Sequence, residues 1–356
     1  MLCTTSLNAQ QRPGQKNPEP FSNLEEAKEF LKEQEANDLF SGTVLVSINN
    51  DIKLLESYGL SNKSKKAKNN IDTKINIGSL NKAFTAVCVL QLVEQGKLDL
   101  DDKIKTYIPE LAMEMADEIT IRHLLQMKSG LGFYHMSPAY QAKRNSLRKM
   151  EAYLPFIKNS PLSFKPGTDR QYSNSGYELL GILVQRISGY DYYDYVMENV
   201  YNKAQMKNTG AFERDKKTPN LARGYTKYAE GQGPGSPISA SMKNRPATDG
   251  NSRHAVKGTA AGGGYSTVKD LYNFVNALWT NELIGKDYTD LMFSGYEDQA
   301  ERRTNYRIGG GSIGINAHIM ADFSKDYLVI VLANFDPPTA TDVARKFAKT
   351  IDLGQL

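Results

Sequence analysis

Ser79 and Lys82 stand three residues apart in Ile77-Gly78-Ser79-Leu80-Asn81-Lys82, ahead of an apolar run to Val93 without Gly or Pro. That run reads as a helix, and residues i and i+3 share a helix face. Ser79 is then expected in the first turn, with the Lys82 amine in reach of its hydroxyl. A serine hydroxyl is a poor nucleophile at neutral pH until a neighbouring base takes its proton. A lysine serves as that base where burial and positive neighbours favour its neutral form. A helix N-terminus also offers free N–H groups, which suit a developing oxyanion. Ser-x-x-Lys alone is a common pattern, and a surface helix carrying both residues explains most occurrences.

A second constellation is Tyr172-Ser173-Asn174, between the turn Phe164-Lys165-Pro166-Gly167-Thr168 and a helix expected from Ser175. In an extended segment, side chains two apart point the same way. A phenol there can pass a proton between nucleophile and leaving group. Asn174 offers both a donor and an acceptor to an amide-like substrate. The competing reading is a Tyr that packs and an Asn that caps the following helix.

These residues need a scaffold. The chain has 356 residues, of which 40% are apolar, enough for one large domain or two interleaved ones. Net charge is 44 − 40 = +4, too small to argue for a nucleic-acid partner. Lys63, Lys65, Lys66 and Lys68 read as a solvated turn. Cys3 and Cys88 give no disulfide framework, and Cys88 falls in the apolar helix as a small hydrophobe. His123, His135, His254 and His318 form no metal-ligand spacing, so neither metal nor cofactor is expected. His123 and His318 read as structural, and His135 as a candidate for lining a cleft. No run is long enough to span a membrane. Met1 to Ala9 resembles the tail of a secretory leader, which points to a periplasmic or secreted protein; a disordered cytoplasmic tail is the alternative.

Asn23 reads as the N-cap of a helix to about Glu35, with Glu26 completing a capping box. Gly42–Ile48 and Ile52–Tyr58 read as a hairpin about Asn49-Asn50-Asp51. Residues 119–131 read as a helix capped by Thr120 and ending at Gly130. Residues 212–257 are expected to be irregular and to line one side of the site. Gly262-Gly263-Gly264 lacks a dinucleotide frame and reads as close backbone packing. Ile315–Met320 and Tyr327–Asn334 read as paired strands, and 340–351 as a closing helix. Helix and hairpin at the front match hairpin and helix at the back, so the economical fold is α+β, with one antiparallel sheet built from both chain ends. Residues 23–75 and 240–356 are expected to form this sheet domain, 76–239 a mostly helical domain, and 1–22 a disordered lead-in. The site falls between the two domains.

Taken together, these segments resemble the serine beta-lactamase-related family of class C beta-lactamases, penicillin-binding peptidases and beta-lactamase-like esterases. The resemblance runs from about Phe40 to Asp336. It rests on Ser79-Leu80-Asn81-Lys82, Ile119–Leu125 with Ser129-Gly130-Leu131, Phe164–Tyr177, Ala261–Thr267 and Val331–Asn334. It implies a beta-lactamase/transpeptidase-like fold and a serine hydrolase acting on small-molecule or peptide esters and amides. It also implies Ser79 as the acylated nucleophile, Lys82 and Tyr172 as proton-transfer groups, and Asn174 as a substrate or lysine contact. The oxyanion would be held by the N–H of Ser79 and of Gly310 or Gly311. The sequence departs from the family at Ile308, where a Lys or His is usual, and the segment 301–305 looks too short for the strand before it. Loss of that cation argues against an efficient beta-lactamase. A non-catalytic peptidoglycan- or partner-binding protein on the same fold is the alternative.

Overall fold

The computed structural model describes residues 19–234, 236, 246–297 and 302–356. The leader-like start and most of the lead-in expected at its N-terminus lie outside the described residues. Helix α1, Leu24–Ala36, begins at Asn23, whose side chain accepts from the Glu26 N–H at 2.9 Å. The Glu26 carboxylate answers one residue earlier than a capping box requires, on the Ser22 N–H. Strands β1, Gly42–Ile48, and β2, Asp51–Tyr58, form the expected hairpin. Asn49 and Asn50 take positive φ in its turn, a conformation Asn tolerates better than most residues.

Strand β3, Ile75–Gly78, leads into helix α2, Asn81–Glu94. Twelve of the fourteen α2 residues are buried, so it is a central helix, apolar all round rather than amphipathic. Cys88 is wholly buried within it, and burial pushes its thiol pKa up. Helix α3 is short, Ile121–Leu125, capped by Thr120, whose hydroxyl accepts from the His123 N–H while the His123 ring answers on the Thr120 N–H. The expected continuation to Gly130 does not occur. Met127 and Gly130 adopt positive φ, and the unwound segment instead pairs with the approach to Tyr172, Gln171 N–H to Met127 O at 2.9 Å. Helix α4, Asn174–Ser188, follows, capped by Ser173 and ended by Gly189 in the left-handed conformation.

Strand β4, Gly264–Ser266, pairs with β3, and helix α5, Val268–Trp279, comes next. Strands β5, Asn305–Ser312, β6, Ile315–Asp322, and β7, Tyr327–Ala333, precede the closing helix α6, Thr339–Asp352. Ile308 lies within β5 itself, and among the described residues no other strand stands between β4 and β5, so the strand usual before the third motif is not found as a separate element. The main sheet is antiparallel in the order β2-β1-β7-β6-β5, with Val44 opposite Val331. Alternation divides its side chains between two cores. Val44, Val46, Val329 and Val331 face α1 and α6, with Leu31 and Phe347. Leu45, Leu328, Ile330 and Leu332 face the helical layer of α2 and α4. Between residues 212 and 257 the described part carries only two-residue strands and one 3₁₀ turn, in line with its Gly- and Pro-rich sequence.

Candidate active site

Ser79 lies in the turn just ahead of α2, not in its first turn as the sequence suggested. Leu80 is the N-cap, and the Lys82 N–H bonds the Ser79 carbonyl at 3.1 Å. The three-residue spacing still brings the Lys82 amine to the hydroxyl, Nζ to Oγ at 3.4 Å. Nζ also donates to Asn174 Oδ1 at 2.8 Å and to the Ala261 carbonyl. Three oxygens thus surround Nζ. Lys82 is 4% exposed, and its amine sits 4.8 Å from the centre of the Tyr172 ring.

Tyr172 arrives from the segment held by Met127. Its hydroxyl donates to Ser79 Oγ at 2.6 Å, while 41% of the residue remains exposed. Ser173, not Asn174, caps α4 through Gly176, which leaves the Asn174 amide free to meet Lys82. Ser79, Lys82, Tyr172 and Asn174 therefore meet at one point, from three separate segments.

Backbone donors complete the picture. Among the described residues no acceptor meets the Ser79 N–H. Strand β5 crosses it closely. A Cβ on Gly310 would stand 1.9 Å from the Ile77 carbonyl and 2.8 Å from the Ser79 nitrogen, so only glycine fits. Ile313-Gly314 is a two-residue hairpin loop, which makes Ser312–Ile315 the hydrogen-bonded pair that closes it. The next pair, Gly311–Asn316, is then of the unbonded kind. With β5 at the sheet edge, the Gly311 N–H points off that edge, on the side of β3 and Ser79. The Gly310 N–H turns the other way, into the ladder with β6. Ile308 is buried in the main core, and Arg307, on the opposite strand face, is exposed.

The cleft over Ser79 holds about 250 Å³. Gly311, Asn174 and His135 border it, together with Arg144, Arg253 and Lys257. Burial, then Lys82, holds the His135 imidazole below its ordinary value. Glu178, one turn along α4 from Asn174, was not singled out from the sequence. It is wholly buried, and its Oε1 accepts from Tyr134 and Thr259, each at 2.7 Å. Burial pushes its carboxyl up to about 7. The one signal was its place in the apolar run Tyr177-Glu178-Leu179-Leu180. The three cations had no signal, since only the fold collects them. Among the described residues no cluster of His, Cys, Asp and Glu has the makings of a metal site, and no helix is long and apolar enough to cross a membrane.

Comparison with known proteins bears on the family and the fold. The family model described as Beta-lactamase matches residues 27–351. Protein flp of Staphylococcus aureus (strain MW2) is 31% identical over 186 residues, 51% of this chain and 37% of that protein. Penicillin-binding protein 4* of Bacillus subtilis (strain 168) is 28% identical over 261 residues, 72% of this chain and 56% of that protein. The chain thus aligns with well under two thirds of either relative's length. A crystal structure of a penicillin binding protein from Bacillus halodurans superposes with a TM-score of 0.76 at 28% identity, covering 90% of this chain and 97% of that one.

Proposed function

The chain belongs to the beta-lactamase family, and from that membership we propose that it is a serine hydrolase forming an acyl-enzyme on Ser79, with small esters or amides as substrates. The observation that carries this reading is the single hydroxyl touched by a phenol at 2.6 Å and an amine at 3.4 Å. A binding protein has no need of that arrangement.

In the first half-reaction Ser79 Oγ attacks the substrate carbonyl carbon, and its proton leaves through Tyr172 and Lys82. Negative charge collects on the carbonyl oxygen, which accepts from the N–H groups of Ser79 and Gly311 in this reading. The tetrahedral intermediate collapses, the proton returns to the departing oxygen or nitrogen, and the acyl group stays on Ser79. A water then repeats the sequence, giving up a proton to the same pair. Its oxygen joins the carbonyl carbon, the bond to Oγ breaks, and the acid leaves. Asn174 steadies Lys82 and offers its amide N–H groups to the substrate.

Ile308 bears on which substrates suit. A cation at that position would add a charge-assisted bond to a substrate carboxylate, worth ~1.5–3 kcal/mol, or about ten- to a hundredfold. Its replacement by a buried isoleucine favours simple esters and amides over beta-lactams. The test is intact-mass measurement after incubation with a fluorophosphonate and, separately, a fluorescent penicillin. The expected result is a fluorophosphonate adduct, slower penicillin labelling, and neither in Ser79→Ala. A folded protein that forms no adduct with either probe is a binder, not a hydrolase.

A further inference from the structure

We propose that the natural substrate carries a negatively charged group, a carboxylate or a phosphate, held by Arg144 and Arg253 in the cleft that contains Ser79. This rests on the reading of Ser79 as the reacting group and adds the chemical class of what lies beyond the scissile bond.

Among the described residues, the cleft's lining includes Arg144, Arg253 and Lys257, but neither Asp nor Glu. The two guanidiniums are fixed in place by neutral partners. Arg144 donates to the Arg253 carbonyl at 2.5 Å and to the Ser252 carbonyl at 3.4 Å. Arg253 donates to the carbonyls of Gln232 at 2.7 Å and Ala229 at 3.3 Å. Carbonyl dipoles orient a guanidinium without cancelling its charge. Among the described residues neither arginine has a carboxylate at ion-pair distance, and Asp336 feels Arg253 only from further off. Arginines elsewhere in this chain do: Arg148 pairs with Glu213 and Asp215, and Arg186 with Glu110 and Glu151.

His254, next to Arg253 in the chain, also lines this cleft. His254 is half-buried, with Nε2 at 2.7 Å from the Ile313 carbonyl. Burial first, and then Arg144, Arg214 and Arg253, hold its pKa down at about 4. Lys257 counts for less, because its amine lies 3.6 Å over the Tyr193 ring and feels Glu213, Asp191 and Asp194. The positive charge that Ile308 withholds from the β5 wall is thus present on another wall, between the loop before β4 and the segment after residues 138–143. Planar guanidinium forks fit the paired oxygens of a carboxylate or phosphate. Each arginine keeps N–H donors unspent on protein, since a guanidinium has five.

The test reads binding rather than turnover, on the full chain carrying Ser79→Ala. Titration calorimetry at low salt compares phenyl valerate with three anionic relatives. These are monophenyl glutarate, phenyl 4-phosphonobutyrate and 3-carboxyphenyl valerate. At least one anion is expected to bind about ten- to a hundredfold tighter than phenyl valerate. The advantage should shrink in 1 M salt, because both arginines are part-exposed. Adding Arg253→Gln or Arg144→Gln should remove most of it. The order of carboxylate and phosphonate names the anion, and the third ligand tells a leaving-side charge from an acyl-side one. Equal affinity for all four ligands overturns the proposal, as does an anion preference that survives both arginine variants. The ligand comparison leaves the wall intact, so it decides the matter even where an arginine variant does not fold. A protein that takes the fluorophosphonate on Ser79 yet binds all four ligands alike keeps the hydrolase reading and loses this one.

Discussion

Replacing Tyr172 by Phe removes one oxygen and nothing else. The ring keeps its stacking on Phe133, with centroids 6.1 Å apart, and its place over the Lys82 amine. The lost atom is the donor to Ser79 Oγ at 2.6 Å. A positioned acid–base group contributes about 10²–10⁴ in rate, which corresponds to ~2.7–5.5 kcal/mol of barrier. The folded state loses far less. Tyr172 is 41% exposed, so water competes for that hydroxyl, and surface changes of this kind stay within ~0.5 kcal/mol. Tyr172→Phe is therefore expected to lower kcat for 4-nitrophenyl butyrate by about 10²–10⁴ while the melting temperature stays within ~2 °C of the parent. Single-turnover mixing should place the loss in acylation, and combination with Lys82→Ala should cost much less than the product of the two, as for groups acting as one unit. A fall in kcat of less than about threefold, with the fold intact, would refute Tyr172 as a proton carrier.

Lys82→Ala should nearly abolish ester turnover with little change in melting temperature. Its removal orphans the Asn174 and Ala261 acceptors but also ends the burial of a polar amine, and the two effects oppose. A large loss of stability with unchanged turnover would make the lysine structural. Glu178 gives a pH signature. Its carboxyl is raised by burial from 4.5 to about 7, so the folded state binds the proton more tightly than the unfolded chain. Its contribution is full below pH 4.5 and is lost as pH rises to about 7, on the order of 3 kcal/mol. Denaturant midpoints should fall across that window, and Glu178→Gln, which keeps an acceptor for Tyr134 and Thr259, should flatten the fall; an unchanged slope in the variant rules Glu178 out. Gly310→Ala would put a methyl against the Ile77 carbonyl and the Ser79 nitrogen, both backbone. Calorimetry and an ester assay should record about 1–3 kcal/mol of destabilisation and loss of activity, whereas an active, fully stable variant would mean that β5 does not press on Ser79.

Much of this was legible because local chemistry and global fold agree. Asn23 and Thr120 are caps wherever they are read, since their side chains answer backbone N–H groups within three residues. The two hairpins, about Asn49-Asn50 and residues 322–326, follow from alternation and turn residues alone. Sequence reasoning stumbled where a tertiary contact outbids the local preference. Residues 126–130 have helical composition, yet their carbonyls serve the approach to Tyr172: Gln171 bonds Met127 O and Gly167 bonds Lys128 O. A regular helix there would have consumed those carbonyls and left the phenol unsupported. The same reasoning explains Ser79. A residue inside the helix would spend its surroundings on the helix ladder. One placed just ahead of it keeps an unused N–H and a hydroxyl open to the cleft. What no local pattern encodes is the gathering of positive side chains at the cleft. Arg144 and Arg253 lie 109 residues apart and meet only because a loop carbonyl of one accepts from the other. In isolation each is an ordinary surface arginine; the fold brings both to the lining of the cleft that holds Ser79.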